Sequence, residues 1–408
     1  MKIYQSNLKK NICIISGIYI LISFLFQLID SISYFPNNYS CREWLINYSG
    51  GFIRRGLWGQ ILLILDDYIA APYLIFTLVF ISFCFVTIAL FKAIAKYNKI
   101  SLLLAVILIT NPISIRFYLL DEICARKDIF CLAIFFLIIL VIKKIFESST
   151  TPKYLVYSSM VFYILAIFLH ELSLFFLFPL FSFLYLKNLI DKKYKTKILL
   201  FILIYIATIA IFIVLMPQST NKNIEQTIYK ISNSWHDKYN NSFIYYKDIK
   251  DGPELGMHYT LKQTMQRSYN SLTFSKRIVF DTFLMLIFLE SIIYIFLKKL
   301  SAKLALTRYQ YILTMLLLNM PVLICIFADD FSRWFSLTFI TDLFIFINLD
   351  NTDKKELNSK LETISIYKLF LVLFIGFFMS LFTIENWPIL LKKFIRYSNV
   401  GALLFINY

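Results

Sequence analysis

Residues 129–146 read IFCLAIFFLIILVIKKIF, and this run decides the class of fold. Its charged residues, Lys143 and Lys144, stand together near one end, and the rest is apolar. A helix of roughly 20 such residues crosses the ~30 Å hydrocarbon core of a bilayer. Comparable runs lie near 11–29, 72–91, 100–119, 154–169, 172–187, 197–216, 278–297, 311–328, 335–349 and 367–384. The chain is 59% hydrophobic and 18% aromatic, a composition that such runs dominate. The expected fold is therefore all-α: a polytopic transmembrane helical bundle of about 11 helices, forming one integral membrane domain over residues 1–408. No small-residue cleavage site follows the first run, so a retained helix is expected there rather than a signal peptide.

The charge pattern orients this bundle. A net charge of +16 would suit nucleic acid in a soluble protein, but here the cations follow the loops between spans. With the N-terminus in the cytoplasm, short inner loops carry Lys92, Lys96 and Lys99, then Lys143, Lys144 and Lys153, and later Lys298, Lys299 and Lys303. Positive residues in short loops mark the cytoplasmic side. Lysine would serve that purpose anywhere, yet nine of the ten arginines fall on the other face, with Arg308 the exception. A guanidinium presents a planar fork of donors matched to carboxylate or phosphate, so arginine on one face points to anion recognition there. The outer face is expected to be the working face.

Two outer segments are large, residues 30–71 and 217–277. The first contains Ser49-Gly-Gly-Phe-Ile-Arg-Arg-Gly-Leu-Trp-Gly59, which holds four of the chain's nine glycines and the pair Arg54 and Arg55. Glycine lets backbone approach a neighbour closely. Gly51, Arg54 and Arg55 are candidate substrate-binding residues; the competing reading is a tight turn at the lipid headgroups. Stretches 37–47 and 57–69 are too short to span and are expected to lie along the surface. The second segment is polar and rich in Tyr, Asn and Lys.

Three further outer turns gather charge. Asp121-Glu-Ile-Cys-Ala-Arg126-Lys127-Asp128 offers Asp121 as a catalytic carboxylate and Arg126 as an anion ligand, unless the turn merely neutralises itself. His170-Glu171 interrupts the apolar stretch 154–186, where ionisable groups are functional candidates by default. Asp329-Asp330-Phe-Ser-Arg333-Trp334 joins carboxylates, an arginine and an indole. Glu171, Asp330, Asp30 and Asp121 are the candidate catalytic residues; His170, Arg333 and Trp334 join the substrate-binding set. Trp334 either stacks on a sugar or belongs to the interfacial aromatic belt. Glu290 is expected to pair internally. The six cysteines lack metal spacing, and a Cys41–Cys124 disulfide has only loop position in its favour. No cofactor is certain, although carboxylates of this kind can hold a divalent cation. Carboxylates that activate a hydroxyl and arginines that stabilise a departing phosphate suit transfer chemistry on an anionic, membrane-bound substrate.

The Gly-Gly-Phe-Ile-Arg-Arg-Gly-Leu segment, the outer His-Glu and the Asp-Phe-Ser-Arg-Trp cluster resemble segments of bacterial O-antigen and capsule repeat-unit polymerases. That resemblance implies joining of undecaprenyl-pyrophosphate-linked oligosaccharides at the periplasmic face of the inner membrane. It also implies partners in the chain-length regulator and flippase of the same pathway. In layout, Asp30 after the first span, followed by surface helices, is similar to C-superfamily glycosyltransferases that use polyprenyl-phosphate sugars. A flippase or transporter of lipid-linked sugars is the third reading; it would place charge at both membrane faces.

Overall fold

The computed structural model describes residues 2–33, 35, 39–50, 56–95, 104–105, 107–108, 114–119, 124–147, 153–170, 173, 176–190, 224–239, 306–322 and 331–349, with isolated positions between 202 and 294. No strand occurs among them. Helix α1 spans Lys2–Ser33, α2 Tyr39–Leu45, α3 Gly56–Leu65, α4 Ala71–Ile94 and α5 Asp128–Glu147. They are followed by α6 Lys153–Leu169, α7 Leu177–Ile190, α8 Ile224–Tyr239, α9 Arg308–Asn319 and α10 Phe331–Leu349. Short 3-10 turns occur at Tyr48–Gly50 and Ile115–Leu119.

Among the described residues, three helices are long and apolar enough to cross a membrane: Cys13–Ser33 in α1, Ala71–Ile94 in α4 and Asp128–Phe146 in α5. In lipid every backbone polar group must find its partner inside the element, which leaves the helix as the solution for apolar runs of this length. Some hydroxyl groups in the helices likewise bond back to their own backbone. Ser82 donates to the Leu78 carbonyl at 2.6 Å, and Thr338 and Thr341 of α10 donate to Trp334 and Leu337 at 2.8 Å.

The helix starts are written locally. Pro72 stands in the first turn of α4, where its missing N–H costs nothing. Helix α9 opens with a capping box. The Gln310 N–H donates to Thr307 Oγ1 at 3.3 Å, and the Thr307 N–H donates to Gln310 Oε1 at 2.9 Å.

Helix α5 is the centre of the bundle, with 67% of its span buried by protein against 33% for α1 and 44% for α4. It packs against α4, α6 and α10. Phe24 of α1 stacks on Phe83 of α4, and Phe136 of α5 on Phe344 of α10, each at 3.6 Å between ring centroids. Such aromatic pairs add roughly 0.5–1.5 kcal/mol beyond the area they bury.

Several expectations are refined. Helix α1 extends well beyond 11–29 toward the N-terminus. The stretch 154–186 holds two helices, in keeping with the separate runs 154–169 and 172–187, and Ser173 Oγ and the His170 N–H both bond the Ala166 carbonyl at the end of α6. The stretches 37–47 and 57–69 contain the short helices α2 and α3. Within the large polar outer segment 217–277, residues 224–239 form helix α8. Its signal was present in the sequence: Ile228, Ile231 and Trp235 recur at helical spacing and are all buried. The expected span 367–384 lies outside the described residues.

Candidate functional site

The N-terminus of α5 gathers the charges that the sequence scatters. Asp128 opens the helix, where a carboxylate is favoured by the exposed backbone N–H groups. Arg333, in the first turn of α10, engages it in a two-pronged pair: Nε donates to Oδ2 and Nη2 to Oδ1. Both side chains are buried. The His170 Nε2 stands 3.4 Å from Arg333 Nη2. A guanidinium can only donate, so this ring nitrogen takes the acceptor role and the imidazole proton sits on Nδ1. The Arg333 guanidinium also lies 4.7 Å over the Trp334 ring. The Tyr118 hydroxyl is within the field of Asp128, Arg333 and Arg126.

Arg126 and Lys127, from the turn before α5, are buried in the same region. The Lys127 Nζ is 5.8 Å from the Trp44 ring centroid, and Trp44 Nε1 donates to the Ala125 carbonyl at 2.6 Å. Trp44 and Trp58 both pack on Phe130. Through these rings, α2 and α3 form a lid layer on the Asp128 end of α5.

The lid layer is tied to α8. Trp235 Nε1 donates to the Leu45 carbonyl at 2.8 Å, and Asn47 Nδ2 donates to Ser234 Oγ at 2.9 Å. Gly50 has no room for a side chain, since a Cβ there would meet Thr227 Cγ2 at 2.6 Å. Beyond it, the Tyr239 hydroxyl donates to Asp66 Oδ1, which also accepts the Ala71 N–H at 2.5 Å. Lys238 Nζ bonds Asp67 at 2.6 Å and the Leu63 carbonyl at 3.2 Å. One carboxylate thus starts α4 and anchors α8.

This anchor is sensitive to alkali. Burial first, then the bond to Asp66, raises the Tyr239 phenol above its ordinary 10.0. The folded protein therefore keeps a proton that the unfolded chain has lost above that pH. The contribution is complete below pH 10.0 and is lost as pH rises beyond it. Tyr239→Phe is expected to cost about 1.5 kcal/mol, as for a hydrogen bond to a charged group. It should also flatten the alkaline limb of a thermal-unfolding profile recorded against pH; an unchanged limb would exclude this role.

Of the residues expected from the sequence, Arg126, His170, Arg333 and Trp334 come together here. Trp334 is buried beneath Arg333, which sets it apart from an interfacial belt residue. Asp30 is half-buried near the end of α1 and bears electrostatically on the Cys124 thiol. Gly51, Arg54, Arg55, Asp121, Glu171 and Asp330 lie outside the described residues. Sequence reasoning missed Asp128 and Lys127 as individual site residues and Tyr118 and Trp44 altogether. The only available signal was the cluster 121–128 for the first two. Cys41 and Cys124 are not joined in a disulfide. Burial pushes both up to about 12, which leaves them poor nucleophiles.

No three His, Cys, Asp or Glu side chains converge as a metal site among the described residues. An apolar groove of about 610 Å³ between α1 and α4, with Lys92 on its wall, lies toward the opposite end of these helices and is separate from the cluster. No family model matches the chain, and comparisons with curated proteins and with solved structures return no match.

Proposed function

We propose that the chain is a membrane glycosyltransferase, and more narrowly a polymerase that joins undecaprenyl-pyrophosphate-linked oligosaccharide repeat units. The proposal places it in a bacterial inner membrane as an eleven-span bundle, with the N-terminus cytoplasmic and the working face periplasmic. The observation that carries the reading is the convergence of Arg126, Lys127, His170 and Arg333 around Asp128, beneath the helical layer that flanks the glycine-rich stretch. Buried ionisable groups at a membrane-spanning helix are expensive and are retained where function needs them. Arginines and a lysine suit the departing pyrophosphate, and a neutral imidazole suits a hydrogen bond to a sugar hydroxyl. The proposed catalytic carboxylates adjoin this cluster in sequence. Glu171 follows His170, Asp330 precedes Arg333 by three residues, and Asp121 precedes Arg126 by five.

A second reading, a C-superfamily glycosyltransferase using a polyprenyl-phosphate sugar, draws support from Asp30. Its carboxylate sits at the end of a candidate span, beside the turn before α5 and ahead of the short helices α2 and α3.

Complementation of a strain lacking the gene separates the readings. Arg54→Ala or Arg55→Ala is expected to abolish long polysaccharide chains on a gel, leaving single repeat units on the acceptor and normal protein in the membrane fraction. Full-length polymer in both variants would remove this stretch from the site. Total loss of surface glycan in the gene-deletion strain would point to transport, and an intact ladder lacking a branch sugar to side-branch transfer.

A further inference from the structure

Helices α5 and α10 run side by side in the same direction. Asp128 meets Arg333 at one end, Phe136 stacks on Phe344 midway, and Lys143 Nζ donates to Asn348 Oδ1 at 3.3 Å toward the other. Because Asp128–Phe146 is a candidate span, this register places α10 at the same depths. Asp342, two residues before Phe344, therefore lies level with the middle of that span. At ~1.5 Å per residue it is about 13 Å below Arg333, close to halfway through a ~30 Å core.

Asp342 does not stand there alone. Its carboxylate is 0% exposed, and the charged group acting on it is the carboxylate of Glu290, itself 8% exposed. Among the described residues, none of the four oxygens has a hydrogen-bond partner. Two bare carboxylates in such a place would carry desolvation and mutual repulsion together, and a proton between them relieves both.

Among the described residues, the elements packed around α10 do not supply that relief. From α5, Lys143 bonds Asn348, six residues further along α10. Tyr311 of α9 makes an edge contact at 5.7 Å with Tyr294, one turn beyond Glu290. Tyr118 of the 3-10 turn belongs with Arg333 and Asp128 at the other end. Lys92 of α4 is exposed, and Tyr185 of α7 is half-buried without a bond to either acid.

We propose that Glu290 and Asp342 form a proton-binding site in the middle of the membrane-spanning bundle, holding at least one proton between them at neutral pH. The site is independent of whether the chain transfers sugar. A carboxylic acid held in an apolar setting reacts with a hydrophobic carbodiimide. Its proton moves to a carbodiimide nitrogen and its oxygen adds to the central carbon. The resulting O-acylisourea then rearranges to a stable N-acylurea with no leaving group.

The test uses the full chain in detergent micelles with N,N′-dicyclohexylcarbodiimide, followed by peptide mass mapping. The expected result is one adduct, on Glu290 or Asp342, that fades as pH is raised and is absent from the E290Q/D342N double variant. In parallel, the infrared spectrum of the wild type is expected to show a protonated-carboxyl C=O band at neutral pH that shifts in ²H₂O. Absence of that band would overturn the proposal, whatever the carbodiimide does. So would protection from labelling by sodium but not choline at constant pH, which would make the occupant a metal cation.

Discussion

Asp128→Ala is expected to destabilise the protein by about 3–5 kcal/mol, the range for removing one partner of a buried ion pair. The loss exceeds the net worth of the pair, because the Arg333 guanidinium stays behind in a buried setting with its carboxylate gone. The His170 Nε2, at 3.4 Å, is a neutral acceptor and does not replace the lost negative charge. The measurement is thermal unfolding of the purified full chain in detergent, comparing Asp128→Ala, Arg333→Met and the double variant. The double variant should recover much of the loss, since neither charge is then stranded. A single Asp128→Ala variant that melts with the wild type would show that the pair does not hold α5 to α10. Recovered stability without recovered polysaccharide in the double variant would separate the structural role of the pair from its chemical one.

Gly59→Val should have the second largest effect. A Cβ at this position would collide with the Ile46 carbonyl and approach the Trp44 carbonyl to 2.9 Å, so the obstruction is backbone and cannot swing aside. Overpacking of this kind costs about 1–3 kcal/mol and occasionally more. The strain acts where α3 crosses the end of α2, and it would lever Trp44 and Trp58 away from Phe130. Limited proteolysis of the protein in micelles is the suitable readout, with faster cleavage expected between α2 and α4. Gly50→Val, pressed against Thr227 in the same manner, should open the contact to α8. Unchanged cleavage in both variants would mean that the lid layer yields without cost.

The glycine-rich stretch shows how far a sequence alone can be followed. Its concentration of glycine marks specialised backbone, and at Gly50 and Gly59 the reason is close approach of other chain segments rather than contact with a ligand. The same limit applies to the charges. Arg333 and Asp128 each stand in a turn with charges of their own, so the local reading pairs them with near neighbours. Their true partnership joins residues 205 positions apart. Glu290 invites the thought of an internal partner, but nothing local names Asp342.

What the sequence determined by itself is the membrane class, the all-helical fold and the places of the long apolar helices. These follow from a local requirement: contiguous apolar residues long enough for the hydrocarbon, in the one conformation that bonds its own backbone. Tertiary structure alone decided which charges meet, why Gly50 and Gly59 must be glycine, and that α8 docks against the lid. Those outcomes depend on helices distant in sequence arriving side by side, where burial removes water as the alternative partner and each ionisable group must take its neutralising contact from whatever the packing brings.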